Sequence, residues 1–126
     1  MAFNGTWEEY EEVNYEEFLR AISLPEDAIQ IAKDEKTITD IQQNGDDFVT
    51  TIKNPRETIS NSFTIGKEAD IIINEGKKMK CSVRMEGGKL ICQSEMFTHV
   101  REIQGDDMVE TVTVGSASFS RKSRKI

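Results

Sequence analysis

The 126 residues, 14.3 kDa in all, fit one domain with a single hydrophobic core. A composition of 37% apolar and 31% charged residues excludes a disordered chain, no stretch approaches the roughly 20 apolar residues of a membrane-spanning helix, and two cysteines with one histidine exclude a disulfide scaffold or a structural zinc site. A net charge of −7 excludes nucleic acid as a partner, yet residues 64–126 carry 11 bases against 9 acids where residues 1–63 carry 5 against 14, so an anionic ligand is expected to meet the second half.

In chain order, a first strand is expected around Thr6 to Glu12. Helix follows from Asn14 to about Lys33: Asn14 and Glu17 have capping-box spacing, Glu16 and Glu17 suit the positive end of the helix dipole, and Tyr15, Phe18, Leu19 and Ile22 recur on one face. Pro25 breaks this run near Leu24 and opens a second short helix, with Ala28, Ile31 and Ala32 as its apolar face. From Thr37 the period changes to two, and turn signals arrive about every ten residues, at Asn44-Gly45-Asp46, Asn54-Pro55-Arg56, Asn74-Glu75-Gly76, Glu86-Gly87-Gly88, Gln104-Gly105-Asp106 and Gly115-Ser116. Nine further strands are expected at Ile38–Gln43, Phe48–Lys53, Thr58–Thr64, Asp70–Ile73, Met79–Met85, Leu90–Glu95, Phe97–Ile103, Met108–Val114 and Ala117–Arg121.

Ten tightly connected antiparallel strands protect their edges best by closing, and a barrel of more than eight strands is too wide for its own side chains to fill. The expected fold is therefore mainly β, a ten-stranded antiparallel up-and-down barrel, with two helices between strands 1 and 2 as a lid over an internal cavity. Alternation places Met79, Cys81, Val83 and Met85 on one inward face, with Leu90 and Cys92 on the next. The same reading turns Phe97, His99, Arg101 and Ile103 inward, then Met108, Glu110, Val112 and Val114, then Ala117, Phe119, Arg121 and Ser123. Two arginines, a histidine and a glutamate thus fall on otherwise apolar faces, where a hydrated cavity can hold them. The alternative is that Arg101 points out and pairs with Glu110 across the surface. His99 has no Ser-His-Asp, Cys-His or metal constellation around it, so catalysis is not expected. Cys81 and Cys92 are expected to face each other as buried thiols across a hairpin, and the basic run Arg121-Lys122-Ser123-Arg124-Lys125 reads as a charged strand end rather than a targeting patch.

Several segments carry a resemblance. Gly5-Thr6-Trp7, Asn14-Tyr15-Glu16-Glu17-Phe18-Leu19 and Asn61-Ser62-Phe63-Thr64-Ile65-Gly66-Lys67-Glu68 resemble the intracellular lipid-binding proteins, the fatty-acid-binding protein family, over the whole chain. Met1-Ala2-Phe3, Leu24-Pro25-Glu26-Asp27, Gly76-Lys77-Lys78-Met79-Lys80-Cys81 and Met108-Val109-Glu110-Thr111 are most similar to its liver basic, or liver bile acid-binding, branch, with the ileal bile acid-binding branch more distant. The resemblance implies a β-clam of the calycin type under a two-helix lid, acting as a non-enzymatic carrier of a bile acid, fatty acid or other amphipathic anion. In fatty-acid binders an inward Arg joins an Arg-x-Tyr motif on the last strand to grip carboxylate. The matching positions are Arg101 and Arg121, but Ser123 stands in place of the tyrosine, and the branch's basic character is absent at a sequence pI near 4.8.

On this reading Tyr15, Leu19, Ile22, Ile31, Phe63, Val112 and Phe119 line the cavity, and Arg121, Arg101, Lys77 or His99 orients the acid group. Glu110 and Arg56 complete the candidate ligand-binding residues. No metal or cofactor is expected. Met1 is not followed by the basic start and apolar run of a signal peptide, so the expected location is the cytoplasm, with a monomer carrying one class of lipid and transient membrane contact allowed. Competing readings are a general long-chain fatty-acid carrier, a binder of another bulky acid such as a tetrapyrrole, a lipid-processing enzyme, for which no nucleophile and base can be placed, and a secreted lipocalin, which shares Gly-x-Trp but lacks the inserted helix pair.

Overall fold

The computed structural model describes residues 3–34, 36–54, 58–72 and 78–126, the side chains of 32–34 aside. Arg56, Lys77 and the turn signals at Pro55 and Gly76 lie outside the described residues. The elements are β1 (Gly5–Val13), α1 (Tyr15–Ala21), α2 (Glu26–Asp34), β2 (Ile38–Asn44), β3 (Asp47–Lys53), β4 (Thr58–Thr64), β5 (Glu68–Ile72), β6 (Lys78–Glu86), β7 (Lys89–Gln93), β8 (Phe97–Gln104), β9 (Asp107–Val114) and β10 (Ala117–Lys125). The expected order of ten strands with two helices after the first is therefore present.

The strands form one antiparallel sheet in the order β4-β3-β2-β1-β10-β9-β8-β7-β6-β5, so β1 and β10 join the two halves of the meander. Two-residue turns impose the tight reversals: Gly105 between Gln104 and Asp107, and Gly115 between Val114 and Ala117, open their turns at φ 62° and 60°, a left-handed backbone that favours glycine. β4 and β5 are neighbours without a hydrogen-bonded ladder, leaving the barrel nearly closed. There the side chain of Asn61 substitutes for backbone: its Nδ2 donates to Ile72 O at 2.9 Å and its Oδ1 accepts from Ile72 N at 2.7 Å.

Two buried clusters hold the molecule. One gathers Phe3, Trp7, Ile41, Phe48, Phe63, Val83, Leu90 and Met108, with Phe48 stacked on Phe63 at 5.3 Å between ring centres. The other fastens the helices to β10 through Phe18, Leu19, Ile29 and Phe119, where Tyr15 and Phe18 each approach the Phe119 ring to within 5 Å.

Local details depart from expectation in three places. Asn14 adopts a left-handed conformation (φ 66°, ψ 21°) and makes no side-chain cap. The chain reverses there from β1 into α1, a bend asparagine tolerates, and its Nδ2 instead donates to Ser118 O of β10 at 2.8 Å. Among the described side chains of α2 the buried one is Ile29, fully enclosed, whereas Ile31 is 54% exposed and does not line the interior. Two positions on a helix are about 200° apart, so Ile29 and Ile31 cannot share a face, and the Phe18, Leu19 and Phe119 pocket takes Ile29. Cys81 and Cys92 are free thiols, but Cys92 sits opposite Val83, which makes the pair diagonal neighbours on one inward face rather than direct partners.

The basic C-terminal run is strand, as expected, because β10 continues to Lys125 against the acidic β1. Lys122 Nζ lies 3.4 Å from Glu11 Oε2 on the outer surface, and Arg124 covers the Tyr10 ring.

Candidate functional site

A cavity of about 400 Å³ lies inside the barrel. β3, β4, β5 and β6 contribute Ile52, Phe63, Ile71, Ile72 and Met79 to its wall, β8 and β9 contribute Phe97, Val112 and Val114, and Ile22 reaches it from the end of α1. These residues follow from period-two alternation, since the strand faces turned away from solvent are apolar. The wall is polar in few places: Thr50, Asn61, His99 and Arg101.

Of the residues expected to line it, Ile22, Phe63, His99, Arg101 and Val112 do so. Tyr15, Leu19 and Phe119 sit together beneath the helices in the second cluster, outside this lining. Ile31 faces solvent. Thr50, Ile52, Asn61, Ile71, Ile72 and Met96 join the wall without having been singled out; the alternating burial of β3 and β4 is the signal that finds Thr50 and Asn61.

Behind His99 and Arg101 lies a row of charge built by strand register. Arg101 on β8 stands opposite Glu110 on β9, Glu110 opposite Arg121 on β10, and Arg121 opposite Glu12 on β1. Both arginines turn inward: Arg101 is 6% exposed, and its Nε donates to Glu110 Oε1 at 3.4 Å. Arg121 Nη1 donates to Glu110 Oε2 at 3.5 Å. The pairing of Arg101 with Glu110 is thus internal rather than across the surface.

Glu9 and Glu12 complete the row, and neither was singled out from the sequence, which assigned no faces on the first strand. Strict alternation would turn Glu9 in and Glu12 out, but a bulge between Glu9 and Glu11 shifts the register against β10 by one residue. Both carboxylates consequently reach Arg121, whose Nε is 2.9 Å from Glu9 Oε2 and 3.8 Å from Glu12 Oε2. Glu9 also accepts a hydrogen bond from Thr37 N at 3.1 Å, which fixes it at the start of β2.

The titration of this row follows from its burial and its charges. Burial alone would push the Glu110 carboxyl up, but the adjacent His99 imidazole and the two guanidinium groups outweigh it and hold the carboxyl well below the ordinary range. His99 moves down, because burial and then the neighbouring Arg101 both disfavour the imidazolium; it is neutral at pH 7. Glu9 moves up on burial, in spite of Arg121. Glu12 is pushed up to about 7 by burial and by the adjacent Glu9. Burial also pushes the Cys92 thiol up to about 12, with Cys81 adding to it. Among the described residues no group of three or more His, Cys, Asp or Glu is placed to hold a metal ion.

A hollow antiparallel barrel, roofed by a helix pair and furnished with apolar walls and a few polar groups, defines a binding protein for a largely hydrophobic small molecule. The chain belongs to the lipocalin / cytosolic fatty-acid binding protein family, whose model matches residues 1–126. That family consists of lipid-binding carriers rather than enzymes. The chain is 50% identical over its whole length to the liver fatty acid-binding protein of Schroederichthys bivius, covering all of that protein, and 42% identical to gastrotropin of Sus scrofa, with 100% of this chain and 99% of that one aligned. Among solved structures, the zebrafish ileal bile acid-binding protein complexed with cholic acid superposes with a TM-score of 0.93 at 41% identity, with both chains covered completely.

Proposed function

We propose that this protein is a non-enzymatic, cytoplasmic carrier that reversibly binds bile acids or related amphipathic carboxylates in its interior. The observation that carries the reading is the cavity of about 400 Å³, within the roughly 300–1,000 Å³ of small-molecule sites, apolar over most of its wall and edged by His99 and Arg101. A relative whose name specifies bile acid and whose structure holds cholic acid shares this architecture at 41% identity. Burial of rings or methylenes supplies most of the affinity, at about 0.8 kcal/mol per CH₂ before ordering costs.

Ile22, Phe63 and Val112 are the apolar contacts in this reading and His99 and Arg101 the polar ones. Tyr15, Leu19 and Phe119 hold the helical roof, Glu110 and Arg121 stand behind the polar wall, and Arg56 and Lys77, outside the described residues, remain candidate contacts. The protein acts as a monomer, with transient membrane contact during loading. A second reading, long-chain fatty-acid carriage, is favoured by the buried Arg101 on the wall and by the 50% identical liver fatty acid-binding protein.

Calorimetric titration with cholate and with oleate, each against the other as competitor, tests the proposal. Stoichiometric cholate binding that oleate displaces weakly is expected. Tight oleate binding with cholate ineffective selects the second reading, and binding of neither overturns both.

A further inference from the structure

Resting on that reading, we infer that Glu9 and Glu12 determine which end of an amphipathic ligand enters: they occupy Arg121 from β1, so the interior accepts hydroxyl groups and leaves the ligand carboxylate at the mouth. The family resemblance implies the opposite role for Arg101 and Arg121, that of an internal carboxylate grip.

The balance of charge in the row carries the inference. Its cations are Arg101 and Arg121, and its acids are Glu9, Glu12 and Glu110, all within 4 Å of one of those guanidinium groups. Two guanidinium groups thus face three carboxylates, and a single proton held between Glu9 and Glu12 leaves two negative charges to match the two positive ones. Loss of that proton makes the row net negative. In neither state is a positive charge left over for a ligand carboxylate, and adding one would bury an uncompensated anion.

The remaining polar wall is neutral. Thr50 and Asn61 offer hydroxyl and carboxamide groups, and the Nε2 of His99 is buried, 3.6 Å from Glu110 Oε2, without a hydrogen-bond partner among the described residues. Such groups suit alcohols as donors and acceptors. Charge could reach the wall only through Glu110, which lies between the arginines. When Glu9 and Glu12 no longer hold Arg121, that arginine alone compensates Glu110, and Arg101, which lines the cavity, carries the surplus. Both acids must change together, because removing Glu9 alone relieves its neighbour and lets Glu12 ionise in its place.

The test uses [1-¹³C]oleate and oleyl alcohol with the unmodified protein and with Glu9→Gln/Glu12→Gln. In the unmodified protein the carboxyl carbon resonance of bound oleate is expected to move as the pH falls from 8 to 4, and oleate and the alcohol to bind within about threefold of each other. In the double variant the resonance is expected to stay fixed, with oleate preferred over the alcohol by about tenfold or more. A fixed resonance in the unmodified protein overturns the inference whether or not the variant folds. So does a folded variant whose oleate-to-alcohol ratio is unchanged. If the unmodified protein binds neither oleate nor cholate, the carrier reading itself falls and takes the inference with it.

Discussion

Glu110→Gln removes the central anion of the buried row while preserving side-chain shape. Glu110 is 3% exposed, and among the described residues it is the only carboxylate within 4 Å of the Arg101 guanidinium. Arg121 keeps Glu9 and Glu12, but Arg101 is left as a buried, unpaired cation beside His99. Breaking a buried pair by removing one partner costs about 3–5 kcal/mol. At about 2 cal/mol/K of unfolding entropy per residue this lowers Tm by about 10–20 °C. Because the folded carboxyl is held below its unfolded pKa, its contribution is complete above about pH 4.3 and is lost as pH falls toward the folded value. Thermal melts by circular dichroism at pH 7 and pH 3 should therefore show a large gap between wild type and variant that narrows in acid. A gap under about 4 °C at pH 7, or one unchanged at pH 3, refutes the assignment of Glu110 as the ion that holds the row together.

Glu12 gives the opposite pH dependence. Its folded pKa is raised to about 7, so the associated stability is present in acid and lost as pH rises through neutrality; Glu12→Gln should gain about 5 °C in Tm relative to wild type between pH 5.5 and 8.5. Asn61→Ala leaves both the N–H and the C=O of Ile72 without their β4 partner, which should cost about 2–3 kcal/mol and show as faster amide exchange at Ile72 than at β2 or β3 positions. Cys92, with its thiol pushed up to about 12 inside the barrel, should escape iodoacetamide at pH 8 in the native protein and be labelled fully in guanidinium chloride, as mass spectrometry will count.

The architecture was legible because it rests on short-range signals. Turn residues at regular intervals mark the strands, and alternation assigns faces wherever two neighbouring strands pair without irregularity, which is why Arg101, His99 and Glu110 can be placed inward from the chain alone. What escaped depends on partners. The run Glu8-Glu9-Tyr10-Glu11-Glu12 reads as the polar strand it is, but the bulge that turns Glu9 and Glu12 toward the same guanidinium exists only in the register between β1 and β10. A period-two rule carries no information about such a slip. An inward Arg121 on the strand beside an acid-rich one was the available hint. The α2 error has a similar origin: Ala28, Ile31 and Ala32 make as plausible a stripe as one containing Ile29, and the choice is made by the Phe18, Leu19 and Phe119 pocket, whose shape local spacing does not encode.

The carboxamide of Asn61 stands at an unusual junction. It borders the chamber and at the same time stitches two strands that share no backbone ladder. Recontouring the chamber for a different cargo at this position therefore loosens the wall, and tightening the wall there reshapes the chamber. Selectivity and mechanical integrity are thereby tied to one side chain, and position 61 is constrained on both counts at once.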